Sequence, residues 1–256
     1  MTPSPIPRVL STLDRHRVRT LLMGGQACIL YGAAEFSRDI AVALDARNLA
    51  RLRAALADLG AEPVFFPRLS AFALRRGHAC HFRCRAPGLQ DVRLDVMAAM
   101  RNASPFGALW RRRVELDLPG GVRVSLMSVE DLVRVKKTQR DKDWPMVRRL
   151  VETDIHVCRK PPSSKVRFWL RECRTPALLC MLAKKHRALA RSEAAARSLL
   201  LAALSGDDGA VESALQAEEA VERELDREYW RPLRAELERM RMRRRRGGAR
   251  SRPKRR

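Results

Sequence analysis

Apolar and polar residues alternate in two registers along this chain, and the change of register divides it. Up to about residue 127, short apolar runs with strand-like alternation are interleaved with helical stretches; beyond about residue 160 almost every segment is helix-forming. Residues 8 to 19 mix Leu and Arg at helical spacing and lead into an apolar strand, Thr20 to Met23, which Gly24-Gly25 ends. Gln26 to Tyr31 is apolar at helical spacing, with Gly32 placed to cap it. Phe36 to Leu44 alternates, with Ile40, Val42 and Leu44 on one face and Asp39, Ala41 and Ala43 on the other, the pattern of a half-buried strand. Asn48 to Leu59 is an amphipathic helix carrying Leu49, Leu52, Leu56 and Leu59; Asp45 or Asn48 caps its start and Gly60 ends it.

A β-rich stretch follows. Phe72 to Leu74, His78 to Cys84 and Val92 to Met97 read as neighbouring strands joined by turns at Arg76-Gly77 and Pro87-Gly88. Val114 to Leu118 and Val122 to Met127 read as a hairpin across Pro119-Gly120-Gly121, and Ser128 to Asp131 as a capping box opening a helix. A charged stretch, KKTQRDKD, precedes Trp144-Pro145, where Pro145 starts the next helix. Pro161-Pro162-Ser163-Ser164 marks the expected boundary between a domain over 1–158 and a helical region over 165–240. That region is expected to form a small bundle from Val166 to Arg174, Ala177 to Leu204 and about Val211 to Met240, the last kinked or broken at Pro232. Residues 241–256 hold nine Arg and one Lys with no acid and read as a disordered tail.

The expected fold class is therefore α+β, a mixed sheet with flanking helices followed by a helical bundle. At 256 residues the chain buries a real core in one or two domains. Its net charge of +23 favours polyanions; a composition rich in Arg and Ala, as a GC-rich genome writes, is the plainer source of the same charge. No apolar run approaches the ~20 residues of a membrane span, and the opening MTPSPIPRVL lacks the basic-then-apolar order of a signal peptide, so a cytoplasmic protein with reduced thiols is expected.

Two acidic residues stand out, because Asp39 and Asp95 each sit in an otherwise apolar strand, where an unpaired charge is costly. Salt bridges, for example to Arg38 or Arg93, are one explanation, and a metal site is another. GHACHFRC supplies His78, Cys80, His81 and Cys84, but a single strand cannot wrap four ligands around one ion, so buried thiols and a sheet histidine are the better reading. Trp169, Tyr229 and Trp230 read as packing anchors.

The order of strand, glycine pair, short helix, Asp-bearing strand and later Asp-bearing strand resembles the nucleotidyltransferase fold of the DNA polymerase beta superfamily. Within it the chain is most similar to the branch holding the AbiE-type abortive-infection toxins. The resemblance rests on MGGQACILYG, SRDIA, RLDVM, SVEDL and KKTQRDKD in that order, over residues 18 to 152. It implies Mg²⁺-dependent transfer of a nucleotide from an NTP to RNA, such as tRNA, or to protein, and leans towards an enzyme. It also implies a toxin or phage-defence role with an antitoxin partner. By the same resemblance Asp39 and Asp95 are the catalytic, metal-holding acids. Gly24, Gly25, Ser37, Arg38, Lys137, Arg140 and Lys142 contact the nucleotide, with Asp141 in support. The family carries a second acid two residues after the first, and this chain has Ala41 there. A degenerate nucleotide- or nucleic-acid-binding protein, an enzyme with an altered site and a single inactivated copy all remain open from the sequence.

Overall fold

A computed structural model describes residues 5–89 and 91–250, without the side chains of 244–250. The chain organises into two compact units. Of the described residues, one comprises 5–23, 38–89, 91–126 and 227–250, and the other 24–37 and 127–226. The expected boundary at Pro161 to Ser164 falls inside the second unit, at the start of a helix.

Among the described residues, all seven strands lie in the first unit. They are β1 (Thr20–Met23), β2 (Asp39–Leu44), β3 (Ala61–Pro63), β4 (Cys80–Cys84), β5 (Val92–Met97), β6 (Val114–Leu118) and β7 (Val122–Leu126). They form one mixed sheet in the order β3-β4-β5-β2-β1-β7-β6. β2 pairs in parallel with β5, and β1 with β7; the remaining pairs are antiparallel. The alternation that the sequence shows in β2 and β5 becomes a two-faced layer. Ile40, Val42, Leu44, Leu94 and Val96 are buried, whereas Asp39, Ala41, Arg93 and Asp95 are only half-buried. Helices α1 (Pro5–Arg15), which contacts β7, and α3 (Leu49–Asp58) add Val9, Leu13, Leu52 and Leu56 to the core. Asp45 caps the single 3₁₀ turn before α3 by accepting from the Arg47 N–H.

Phe72 to Leu74, expected as a strand, lies instead in helix α4 (Ala71–Arg76). Three apolar residues fit either period, and the ends decide. Ser70 Oγ accepts from the Ala73 N–H at 3.1 Å, and Gly77 closes the helix at φ 94°, a left-handed conformation open to glycine. The strand expected from His78 consequently begins at Cys80. The short strand β3 and helix α5 (Phe106–Arg111) carry too few periodic residues to be read from sequence.

The second unit is largely helical. It contains α2 (Gly24–Leu30), α6 (Val129–Lys136), α7 (Asp143–Val157), α8 (Ser163–Glu172), α9 (Pro176–Lys185), α10 (Arg187–Glu193) and α11 (Leu200–Ser205). The continuous helix expected over Ala177 to Leu204 is three helices. The first break is at His186, and charged anchors stand at the second, where buried Glu193 accepts from Arg167 and Arg171. Arg197 donates to the Leu170 and Cys173 carbonyls at 2.8 and 3.1 Å and to Glu218 at 2.9 Å. The Leu170 and Cys173 carbonyls at the end of α8 thereby gain a donor. Helix α12 (Asp208–Arg250) contributes its first part to this unit and its remainder to the other. It continues through Pro232; both Pro232 and Glu228 are exposed, so the carbonyl that loses its partner can be hydrated. Residues 241–250, placed by the sequence in an unstructured tail, are helical, and 251–256 lie outside the described residues. Among the described residues no helix is long and apolar enough to cross a membrane.

Candidate functional site

The two strand acids meet on the half-open face of the sheet. Parallel pairing of β2 with β5 sets Asp39 opposite Arg93 and Ala41 opposite Asp95. Antiparallel pairing of β4 with β5 sets His81 opposite Asp95 and Arg83 opposite Arg93. Two rows therefore cross three strands, His81–Asp95–Ala41 and Arg83–Arg93–Asp39. Directly opposite residues on one face are within side-chain reach. Ala41 is thus the position from which a further carboxylate would reach Asp95, and its methyl group offers no oxygen.

Cations fill the remaining space. Arg93 Nε donates to Asp95 Oδ1 at 2.8 Å, and Arg93 Nη1 stands 3.8 Å from Asp39 Oδ2. His81 Nδ1 is 2.7 Å from the same Asp95 oxygen. Burial pushes the Asp95 carboxyl up in pKa, but hydrogen bonds from His81 and Arg93 and their charges outweigh it, so the group is held below its ordinary value. His81 Nδ1 thus lies between the Asp95 carboxylate and Arg93 Nη2, which is 3.1 Å away. The ring of Phe65 packs edge-on to His81 with centroids 5.6 Å apart, and the Arg93 guanidinium lies 5.6 Å from the Phe65 centroid. Of the cations proposed from sequence as salt-bridge partners, Arg93 is in place; Arg38 is exposed at the strand entrance.

These residues do not fit Mg²⁺. The ion needs oxygen ligands in octahedral array. Here Asp95 Oδ1 accepts from Arg93 and has His81 Nδ1 2.7 Å away, Ala41 contributes nothing, and a guanidinium stands between the two acids. Among the described residues no group of three His, Cys, Asp or Glu is placed to hold a metal ion.

The glycine pair lies in the second unit. Gly24 adopts φ 68° where β1 gives way to α2. At Gly25 an added Cβ would fall 2.4 Å from Ser37 Oγ, so the glycine exists to let Ser37 pack against the backbone. Gln26 Nε2 donates to the Ser37 carbonyl at 2.7 Å, closing the loop back on α2.

The charged segment KKTQRDKD, in the same unit, is tied internally. Asp143, fully buried, accepts from Lys136 Nζ at 2.7 Å, Thr138 Oγ1 at 2.6 Å and Arg140 Nε at 2.9 Å. Lys137 pairs with Glu172 at 2.6 Å, and Glu222 stands 4.0 Å away. Arg223 bonds Asp141, and Asp226 accepts from the Gln139 N–H at 2.9 Å. Trp144 Nε1 donates to the Thr138 carbonyl at 2.8 Å. Lys142 is exposed just before α7. Lys137 and Arg140, expected to meet phosphate, thus neutralise carboxylates of their own unit.

Cys80, Phe82 and Cys84 share the buried face of β4, with His81 opposite, as the alternation requires. Burial pushes the Cys80 and Cys84 thiols up to about 11. Sequence reasoning missed His81 as the partner of Asp95. The strand parities place both on the half-open face, but only the register makes them neighbours.

No family profile matches the chain, and no curated protein matches it. Solved structures do. A lincomycin-bound lincosamide antibiotic adenylyltransferase, LnuA, is 15% identical over 57% of this chain and 94% of its own, with a TM-score of 0.41. The antibiotic-resistance factor ANT(2'')-Ia is 16% identical over 75% and 92%, with a TM-score of 0.38. An antigenic nucleotidyltransferase-like protein from Paracoccidioides brasiliensis is 18% identical over 78% and 90%, with a TM-score of 0.40.

Proposed function

We propose that this chain is a nucleotidyltransferase-like protein whose acidic strand site is closed to metal, and that it binds RNA without transferring a nucleotide to it. The observation that carries the reading is the row His81–Asp95–Ala41, with Arg93 bonded to Asp95 and beside Asp39. Transfer in the resembled family needs metal to activate the acceptor and to neutralise the leaving pyrophosphate. Arg93 supplies fixed positive charge in that position and offers no coordination site. Its planar, permanently charged fork cannot deprotonate a nucleophile.

RNA is favoured over free NTP by the distribution of cations. Lys137 and Arg140, which the resemblance assigns to the triphosphate, are held by Glu172 and Asp143. The net charge of +23 instead favours a polyanion through counterion release. A toxin or phage-defence role and an antitoxin partner rest on the resemblance alone.

The test is label transfer from each α-labelled NTP to total tRNA with Mg²⁺, alongside RNA binding at several salt concentrations. The reading predicts no transfer and an affinity that falls steeply with salt, as released counterions require. Transfer by the native chain that Asp95→Ala abolishes would establish an enzyme with an unusual site and overturn it. RNA binding that is absent at low salt would overturn the other half.

A further inference from the structure

The first unit contains a cavity of about 270 Å³ that borders the strand acids through His81 and Arg93. Its lining combines aromatic and apolar side chains, Phe65, Phe66, Trp230 and Leu233, with cationic ones, Arg93, Arg234 and Arg241. No carboxylate stands among the described residues that line it. The nearest carboxylates are those paired with lining residues, Asp95 with Arg93 and His81, and Glu236 3.4 Å from His78.

His78 gives a second, independent sign of a missing ligand. Its side chain is 1% exposed and lines the cavity, yet Nε2 has no hydrogen-bond partner. Glu236 Oε2 is 3.4 Å away but not in bonding geometry. Buried polar groups are almost always satisfied, and an exception calls for a specific cause. An acceptor atom on a bound molecule would supply one.

We propose that this cavity binds a small aromatic anion, a single planar ring bearing one carboxylate or phosphate. The ring packs against Phe65 and Trp230, whose faces and edges suit another aromatic group. The anionic group meets the arginine forks, which match carboxylate and phosphate oxygens bidentately. The volume sets the size: it lies just under the ~300–1,000 Å³ of sites for drug-sized ligands, so one ring and its charged group fit and a nucleoside triphosphate does not. The cavity shares His81 and Arg93 with the strand-acid site, but no step of the proposal involves RNA or transfer.

The experiment is equilibrium binding to the full chain by calorimetry, using benzoate, phenyl phosphate, benzyl alcohol, inorganic phosphate and adenosine monophosphate. Benzoate, phenyl phosphate or both should bind saturably, and their ratio identifies the preferred anion. Benzyl alcohol, which lacks the charge, and inorganic phosphate, which lacks the ring, should each bind at least tenfold more weakly. Arg234→Gln, an exposed position, should weaken the anions about tenfold with folding intact by circular dichroism. Trp230→Leu should weaken every ring-bearing ligand. Three outcomes would overturn the proposal: no saturable binding of benzoate or phenyl phosphate, inorganic phosphate equal to phenyl phosphate, or affinities unchanged by Arg234→Gln. Adenosine monophosphate bound more tightly than phenyl phosphate would overturn the size limit.

Discussion

Replacing Asp143 by Asn tests the claim that KKTQRDKD is a structural tie. Asp143 is fully buried and takes three side-chain hydrogen bonds, two of them from Lys136 and Arg140. Lys136 is itself 8% exposed, so removing the carboxylate charge strands an ammonium in the interior. Breaking one partner of a buried pair costs about 3–5 kcal/mol. Asn retains one acceptor, which favours about 3 kcal/mol at the lower end of that range. For a chain of this size that is a loss of roughly 6–12 °C in melting temperature. The double substitution Lys136→Met/Asp143→Leu removes both charges and should recover most of the loss, since an apolar pair of similar volume is often neutral in such a place. Burial raises the Asp143 pKa, but the Lys136 and Arg140 charges and the hydrogen bonds more than offset it, so the folded value is depressed. The pair's contribution is therefore full above the unfolded carboxyl value of about 3.9 and is lost as pH falls below it through the folded value. Thermal unfolding by circular dichroism at pH 7 and pH 3 reads both effects, and the gap between native and Asp143→Asn should narrow at pH 3. A variant that melts within about 1 °C of the native chain at pH 7 would refute this account.

Three further outcomes are expected. Arg93→Gln should raise the Asp95 carboxyl pKa, read by carbon NMR, and cost about 1–2 kcal/mol in urea unfolding, below the range for a buried charged bond because Arg93 is 31% exposed; an unmoved Asp95 titration would show the bond to be absent in solution. Gly25→Ala should destabilise by about 1–3 kcal/mol through its clash with Ser37, and Ser37→Gly in the same chain should restore most of the loss. At pH 8 a disulfide reagent should react rapidly with one thiol, the partly exposed Cys158, whereas denaturant should release all six; several fast thiols in the folded chain would contradict the burial of the others.

What the sequence disclosed and what it hid follow from the range of the interactions involved. β1, the glycine pair, β2, β5 and the β6–β7 hairpin were legible because local alternation and turn residues specify them. Ser128 was legible as a cap for the same reason, and its Oγ does accept from the Asp131 N–H at 3.2 Å. Phe72 to Leu74 was misread because three apolar residues do not distinguish the two periods, and its caps at Ser70 and Gly77 were the better guide. The helix expected over Ala177 to Leu204 breaks at His186 and again where Glu193 and Arg197 bond to residues more than twenty positions away. The partners of the charged segment were likewise hidden, since Glu222, Arg223 and Asp226 return to it along α12 from some eighty residues on. At the strand site, Asp39, Asp95 and Ala41 were all singled out from sequence. Their neighbours His81 and Arg93 required the sheet register, which no local pattern contains.

The central claim is that cationic side chains, and not a divalent ion, hold the acids of β2 and β5. Manganese, a paramagnetic stand-in for magnesium, tests it directly by electron paramagnetic resonance, titrated into the native chain and into Ala41→Asp. The substitution sets a new carboxylate opposite Asp95 and two residues from Asp39. No saturable manganese binding to the native chain, with binding gained in Ala41→Asp and lost again on adding Asp95→Ala, is the predicted result. Saturable binding to the native chain that Asp95→Ala abolishes would contradict the account and return the chain to the metal-dependent transferases it resembles.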